Sequence, residues 1–216
     1  LVEVRTMDIN NFPKITAILR GYSIDEAMFI MDSLNKYSDY FSVEVTTNSD
    51  NYLRIIQQGN LAFGDKLLIG AGTVLNLQHA KESIDAGAKF LLGPEKFSDD
   101  IFDYAKNKNV ITVPAAMSSS EISEMFSKGA DIVKVFPANV VGINYFKQLA
   151  GPYGKQNLMA VGGMNIENIA SYFSAGAKYV GIGSAMFNKD DIKNRNSNLM
   201  LERLERYVSI IEEVCK

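Results

Sequence analysis

A single lysine interrupts an otherwise apolar, β-branched run, IVKVFPA from Ile132 to Ala138. Burial disfavours an ammonium ion, so Lys134 in such a strand has its pKa lowered and its neutral amine freed to attack a carbonyl. The same lysine could instead reach its head group to a barrel rim or pair with a carboxylate. A carboxylate of the same kind exists. Glu44 stands alone in FSVEVTT, Phe41 to Thr47, with Thr46 on its face two residues later. It could move a proton next to an iminium carbon, or serve as the structural partner of Lys134.

Three glycine-rich segments could hold anions. GAGTV, Gly70 to Val74, is expected directly after a strand, where small residues let backbone N–H groups approach a ligand and Thr73 adds a hydroxyl. A tight strand-to-helix turn would use the same glycines. VGGMN from Val161 and GIGSA from Gly181 follow the last two expected strands, where phosphates commonly meet backbone N–H groups and a helix N-terminus. Ser184 could donate there as well. His79, the one histidine, falls on an expected outer helix and reads as a surface residue.

The elements that must position these groups follow from the alternation of short apolar runs with segments of helical period. Strands are expected at Ile15–Leu19, Phe41–Thr46, Leu67–Ile69, Phe90–Leu92, Val110–Val113, Ile132–Phe136, Leu158–Val161 and Tyr179–Ile182. Helical period appears in Ile24–Leu34, Leu77–Ala86, Asp99–Lys106, Glu121–Phe126 and Ile166–Phe173. A closing amphipathic helix over Leu199–Val214 has Leu204, Val208 and Ile211 on one face. A weak repeat, AGAKFLL at Ala86, KGADIVKV at Lys128 and AGAKYVGI at Ala175, places a glycine where a left-handed residue would close each helix. Eight such units point to one (β/α)8 TIM barrel over residues 1–216, with a doubly wound open sheet as the alternative.

Composition narrows the partners. The 216 residues carry a net charge of −3 and 47% hydrophobic residues. That allows a substantial core and offers no basic face for nucleic acid. One cysteine, Cys215, forms no internal disulfide, and no His, Cys and carboxylate cluster has metal-ligand spacing. Leu1–Phe12 contains Glu3, Arg5 and Asp8 rather than a signal-peptide block, and no run of about 18 apolar residues occurs. The expectation is a soluble, cytoplasmic protein that binds a small molecule and neither nucleic acid nor membrane.

The residues from about Lys14 to Phe187 resemble the family of 2-keto-3-deoxy-6-phosphogluconate (KDPG) and 4-hydroxy-2-oxoglutarate (KHG) aldolases. The strongest similarity is GADIVKVFPANVVG, Gly129 to Gly142. Further similarity lies in AILR (Ala17–Arg20), EVT (Glu44–Thr46), GAGTVLN (Gly70–Asn76), AGPYG (Ala150–Gly154) and VGG (Val161–Gly163). The resemblance implies a class I lyase without cofactor or metal, forming a homotrimer and acting on pyruvate and a phosphorylated keto acid. It implies that Lys134 forms the Schiff base and Glu44 is the general acid/base. Thr73 would hold the pyruvate carboxylate, Gly162, Gly163 and Ser184 the distal phosphate, and Arg20 an anionic part of the substrate. Gly72, Asn48, Pro94, Phe136, Val161 and Gly183 complete the expected substrate-binding set.

The chain departs from the family pattern at Asn48, where an arginine is common, at Ala160-Val161 in place of Pro-Thr, and at Pro114-Ala115 in place of Pro-Gly. Asn48 cannot supply a fixed charge to a carboxylate, and Val161 removes a hydroxyl. The leading expectation is cleavage of a 2-keto-3-deoxy-6-phospho sugar acid, or of 4-hydroxy-2-oxoglutarate, to pyruvate and an aldehyde. A phosphosugar isomerase, epimerase or synthase and a non-catalytic binding paralogue are the alternatives.

Overall fold

Nine parallel strands, β1 (Ile15–Leu19), β2 (Phe41–Thr46), β3 (Leu68–Gly72), β4 (Phe90–Leu92), β5 (Ile111–Val113), β6 (Ala115–Ala116), β7 (Val133–Val135), β8 (Leu158–Val161) and β9 (Tyr179–Ile182), alternate with helices in the computed structural model, which describes residues 9–215. The Leu1–Asp8 part of the N-terminal reading lies outside the described residues. In the sheet the strands run β5-β4-β3-β2-β1-β9-β8-β7-β6. β5 and β6 are two pieces of one run separated by Pro114, which has no N–H to give to a ladder. The sheet therefore curls into a nearly closed barrel, and the expected eight strands become nine by that break.

Helices α1 (Ile24–Asn35), α2 (Tyr52–Phe63), α3 (Leu77–Asp85), α4 (Asp99–Asn107), α5 (Ser119–Ser127), α6 (Ala138–Val141), α7 (Ile143–Tyr153), α8 (Ile169–Ser174), α9 (Lys189–Lys193) and α10 (Ser197–Val214) surround it. Capping boxes start α1 and α5, where Ser23 pairs with Glu26 and Ser118 with Glu121. The repeated Gly-Ala ends α3, α5 and α8. Gly87, Gly129 and Gly176 have φ of +104°, +96° and +111°. In each case the following alanine N–H reaches back to the carbonyl of Ser83, Met125 or Tyr172, as in a Schellman closure. Four helices lie outside the quoted periodic segments: α2, α6, α7 and α9. Gly59 inside α2 and Gly151-Pro152 inside α7 interrupt the pattern that would announce them.

Apolar residues divide between two layers. Ile15, Ala17, Leu19, Val43, Val45, Val133, Val135, Val180 and Ile182 face the helices, whereas Leu68, Phe90, Leu92, Ile111, Val113, Ile132, Met159, Val161 and Tyr179 fill the barrel. Phe12 plugs the N-terminal end of that interior. Its ring stands edge-on to Phe90 and Tyr179, at centroid distances of 5.3 and 5.4 Å. Period-two alternation then fixes which face each polar strand residue shares.

One expectation about position changes. GAGTV is not a loop after the third strand, because β3 continues through Gly72 and only Thr73 turns away, with φ of +58°. Gly70 and Gly72 belong to the barrel wall. A Cβ on Gly70 would come within 2.4 Å of the Phe90 ring, so the glycine makes room for that aromatic plug.

Candidate active site

β2 turns its polar face into the barrel. Ser42, Glu44 and Thr46 are all buried and alternate with Val43 and Val45, which pack outward. β7 likewise carries Lys134 inward between the outward Val133 and Val135. Glu44 is 2% exposed and Lys134 5%. No ion pair among the described residues includes either group, and Glu44 Oε2 has no hydrogen-bond partner.

Burial dominates the electrostatics. It pushes the Glu44 carboxyl above its usual range, opposed by the positive charges of Lys134 and Arg20. It holds the Lys134 amine below its usual value; Arg20 lowers it further and Glu44 opposes. Two groups whose pKa values are driven toward each other inside one barrel are suited to passing a proton between them and a substrate. Lys134 Nζ also lies 5.1 Å from the centroid of the Phe136 ring.

A cavity of about 760 Å³ opens at the C-terminal end of the barrel, lined by Ile18, Arg20, Phe136, Val161, Gly162, Gly163, Gly183 and Ser184 among others. Seven expected site residues thus meet around one space. Its size suits a small organic ligand. Pro94 lines a separate hollow of about 360 Å³ with Ala116, Met117 and Glu121, and Phe136 is the wall common to both. Lys134 and Glu44 lie in the interior below. Gly72, Thr73 and Asn48 line neither space; Asn48 is exposed on the turn after β2.

The rim is held by short-range hydrogen bonds. Gly162 and Gly163 have φ of +104° and +74°, and their carbonyls accept from the Asn139 N–H and the Asn168 side-chain amide. Any Cβ on Gly163 would approach Asn139 Cβ to 2.8 Å. Thr73 is a β-branched residue at positive φ, a conformation stabilised by the Thr47 hydroxyl donating to its carbonyl at 2.7 Å. Thr46, expected beside Glu44, spends its hydroxyl on Ser49 Oγ at 2.8 Å, and Ser49 Oγ accepts the Gly21 N–H at 2.9 Å. This pair ties the loop that carries Arg20 to the end of β2.

A family profile described as KDPG and KHG aldolase matches residues 8–202. The chain belongs to this family. It is an enzyme, a pyruvate-dependent aldolase of class I. Over 199 residues it is 27% identical to the 2-dehydro-3-deoxy-6-phosphogalactonate aldolase of Escherichia coli (strain K12), covering 92% of this chain and 96% of that one. It is 26% identical over 199 residues to the 2-dehydro-3-deoxy-phosphogluconate aldolase of Haemophilus influenzae, covering 90% and 91%. A solved structure described as native KDPGal aligns with a TM-score of 0.81 at 27% identity, over 92% of this chain and 96% of the other.

Several residues of the aldolase cavity escape the sequence reading: Tyr22, Glu26, Lys189 and Lys193. Lys189 and Lys193 stand four apart at the two ends of α9, just after GIGSA, so their spacing was the available signal. Tyr22 and Glu26 come from the start of α1, where Glu26 is engaged as the partner of the Ser23 cap. His79 sits half-buried on α3, away from the cavity.

Proposed function

We propose that this aldolase cleaves a 2-keto-3-deoxy-6-phospho sugar acid to pyruvate and glyceraldehyde 3-phosphate through an imine on Lys134. The burial of Lys134 on the inner face of β7, electrostatically coupled to Glu44 across the interior, carries the reading. The neutral amine adds to the C2 carbonyl, and loss of water gives a protonated imine that serves as electron sink. Glu44 takes the proton from the C4 hydroxyl, directly or through water, as the C3–C4 bond breaks and the aldehyde leaves. The resulting enamine regains a proton at C3, and water hydrolyses the imine to pyruvate and free Lys134.

The cavity favours a phosphorylated substrate. Arg20, Lys189 and Lys193 line it together with Gly162, Gly163 and Ser184; of the two acids there, Glu26 is occupied by its helix cap and Asp190 leaves the lining with a positive excess. Near-equal identity to galactonate and gluconate enzymes leaves the C4 configuration to experiment, and Val161 supplies an apolar wall there without a hydroxyl. Thr73 and Gly72 are proposed on the pyruvate side, Pro94 and Asn48 at the periphery, and a homotrimer as the assembly.

Borohydride added with pyruvate should fix a mass on Lys134, and a lactate dehydrogenase-coupled assay should show pyruvate release from the sugar acid phosphates. An adduct on another lysine, or none, rules the mechanism out. Comparing kcat/KM for the gluconate, galactonate and unphosphorylated 4-hydroxy-2-oxoglutarate substrates decides among them.

A further inference from the structure

The inner face of β3 reads Leu68, Gly70, Gly72, facing Ser42, Glu44 and Thr46 of β2 in parallel register, with Glu44 opposite Gly70 and Thr46 opposite Gly72. The two glycines are vacant for different reasons. At Gly70 an added Cβ would strike the Phe90 ring and the Phe90 carbonyl oxygen, at 2.4 and 2.5 Å. At Gly72 the three nearest atoms are all from one side chain: Glu44 Oε1 at 1.6 Å, Cδ at 2.1 Å and Cγ at 2.4 Å. Gly72 is the last residue of β3 and lies outside the positive-φ glycines, so an alanine there avoids the left-handed penalty. Its tightest conflicts are all with the Glu44 side chain.

We propose that Gly72 is a positioning residue whose missing side chain is the seat of the Glu44 carboxylate, so that a single methyl group at 72 expels the acid/base from its place. The proposal rests on the Lys134–Glu44 mechanism above and gives Gly72, besides its proposed place on the pyruvate side, a role that acts through Glu44. Glu44 sits in a closed interior, and a carboxylate displaced from one side has no solvent to retreat into. Lys134 lies on β7, away from β3 in the strand order, and supplies none of the three atoms nearest the added Cβ.

The test separates imine formation from proton transfer. Gly72→Ala should still be trapped on Lys134 by pyruvate and borohydride, while exchange of the pyruvate methyl protons with deuterium oxide falls by about 10²-fold or more, toward the rate of Glu44→Gln. The acid limb of imine formation should move to lower pH, as in Glu44→Gln, because the anion that supports the lysine's proton has been displaced. Adding Gly72→Ala to Glu44→Gln should slow exchange little further. If Gly72→Ala fails to fold, the same steric argument requires Gly72→Ala/Glu44→Ala to fold, since the three conflicting atoms are gone.

Wild-type exchange in Gly72→Ala overturns the proposal. So does an equal loss on both backgrounds, or failure of the Glu44→Ala double variant to fold where Glu44→Ala alone does. A wild-type enzyme that forms no adduct on Lys134, or Glu44→Gln with undiminished exchange, defeats the mechanism itself, a distinct result.

Discussion

The two ends of the barrel interior are built on opposite principles. At the N-terminal end, Phe12, Phe90 and Tyr179 interlock edge to face, and the Tyr179 hydroxyl finds the Ile9 carbonyl at 2.8 Å. Every polar atom named there has a partner and the rest is close-packed hydrocarbon. Toward the C-terminal end, an amine and a carboxyl are buried without pairing to each other, and one carboxylate oxygen has no partner at all. Such groups cost stability in return for readiness to react. One end holds the fold and the other is held by it.

The largest expected effect comes from Lys134→Met. Pyruvate release should drop to background in the coupled assay while the melting midpoint stays level or rises, because a desolvated amine is replaced by an apolar chain of similar length. The sign follows from the shifts. A lysine with lowered pKa disfavours folding as pH falls through the interval below its unfolded value, and a glutamate with raised pKa does so as pH climbs above its unfolded value. Both penalties coexist near neutrality, so calorimetry at several pH values should show the gain from Lys134→Met vanishing in strong alkali. A clear loss of stability near pH 7 would break the contrast between the two ends.

Glu44→Gln should lower turnover by roughly 10²–10⁴-fold. Glu44 raises the lysine's proton affinity, so its removal shifts the acid limb of imine formation to lower pH. Removal of Arg20, which lowers it, shifts the limb to higher pH. A limb that moves the same way in both variants contradicts the assigned couplings.

Phe12→Ala tests the other end. Leaving a cavity beneath Phe90 and Tyr179 should cost about 3–5 kcal/mol in denaturant unfolding, with kcat of the folded fraction unchanged. The smallest effect is expected at the rim. Lys189→Ala/Lys193→Ala should raise KM for a phosphorylated substrate several-fold and leave kcat/KM for 4-hydroxy-2-oxoglutarate alone, which steady-state kinetics would show.

Much of this was legible in the chain. The bounds of β1, β2, β4, β8 and β9 follow directly from apolar runs, and the three Gly-Ala helix ends from the left-handed closure that glycine permits. Gly70 and Gly72 were not legible in the same way. Glycine looks alike whether it frees an N–H for a ligand, turns the chain or vacates space, and only the neighbouring Phe90 ring and Glu44 carboxylate tell these apart. Lys189 and Lys193 were missed because five residues of α9 are too short for a periodic signal.

The sequence by itself determined that Glu44 and Lys134 each stand on an apolar strand, since alternation with valines assigns a polar residue to one face whatever the fold around it. It could not bring the two faces together. Three strands, β1, β9 and β8, separate β2 from β7 in the sheet, and in a flat sheet the two side chains would never meet. Closure of the barrel turns both faces toward a common interior, and desolvation there, a property of everything that surrounds them, gives an ordinary lysine and glutamate their altered proton affinities.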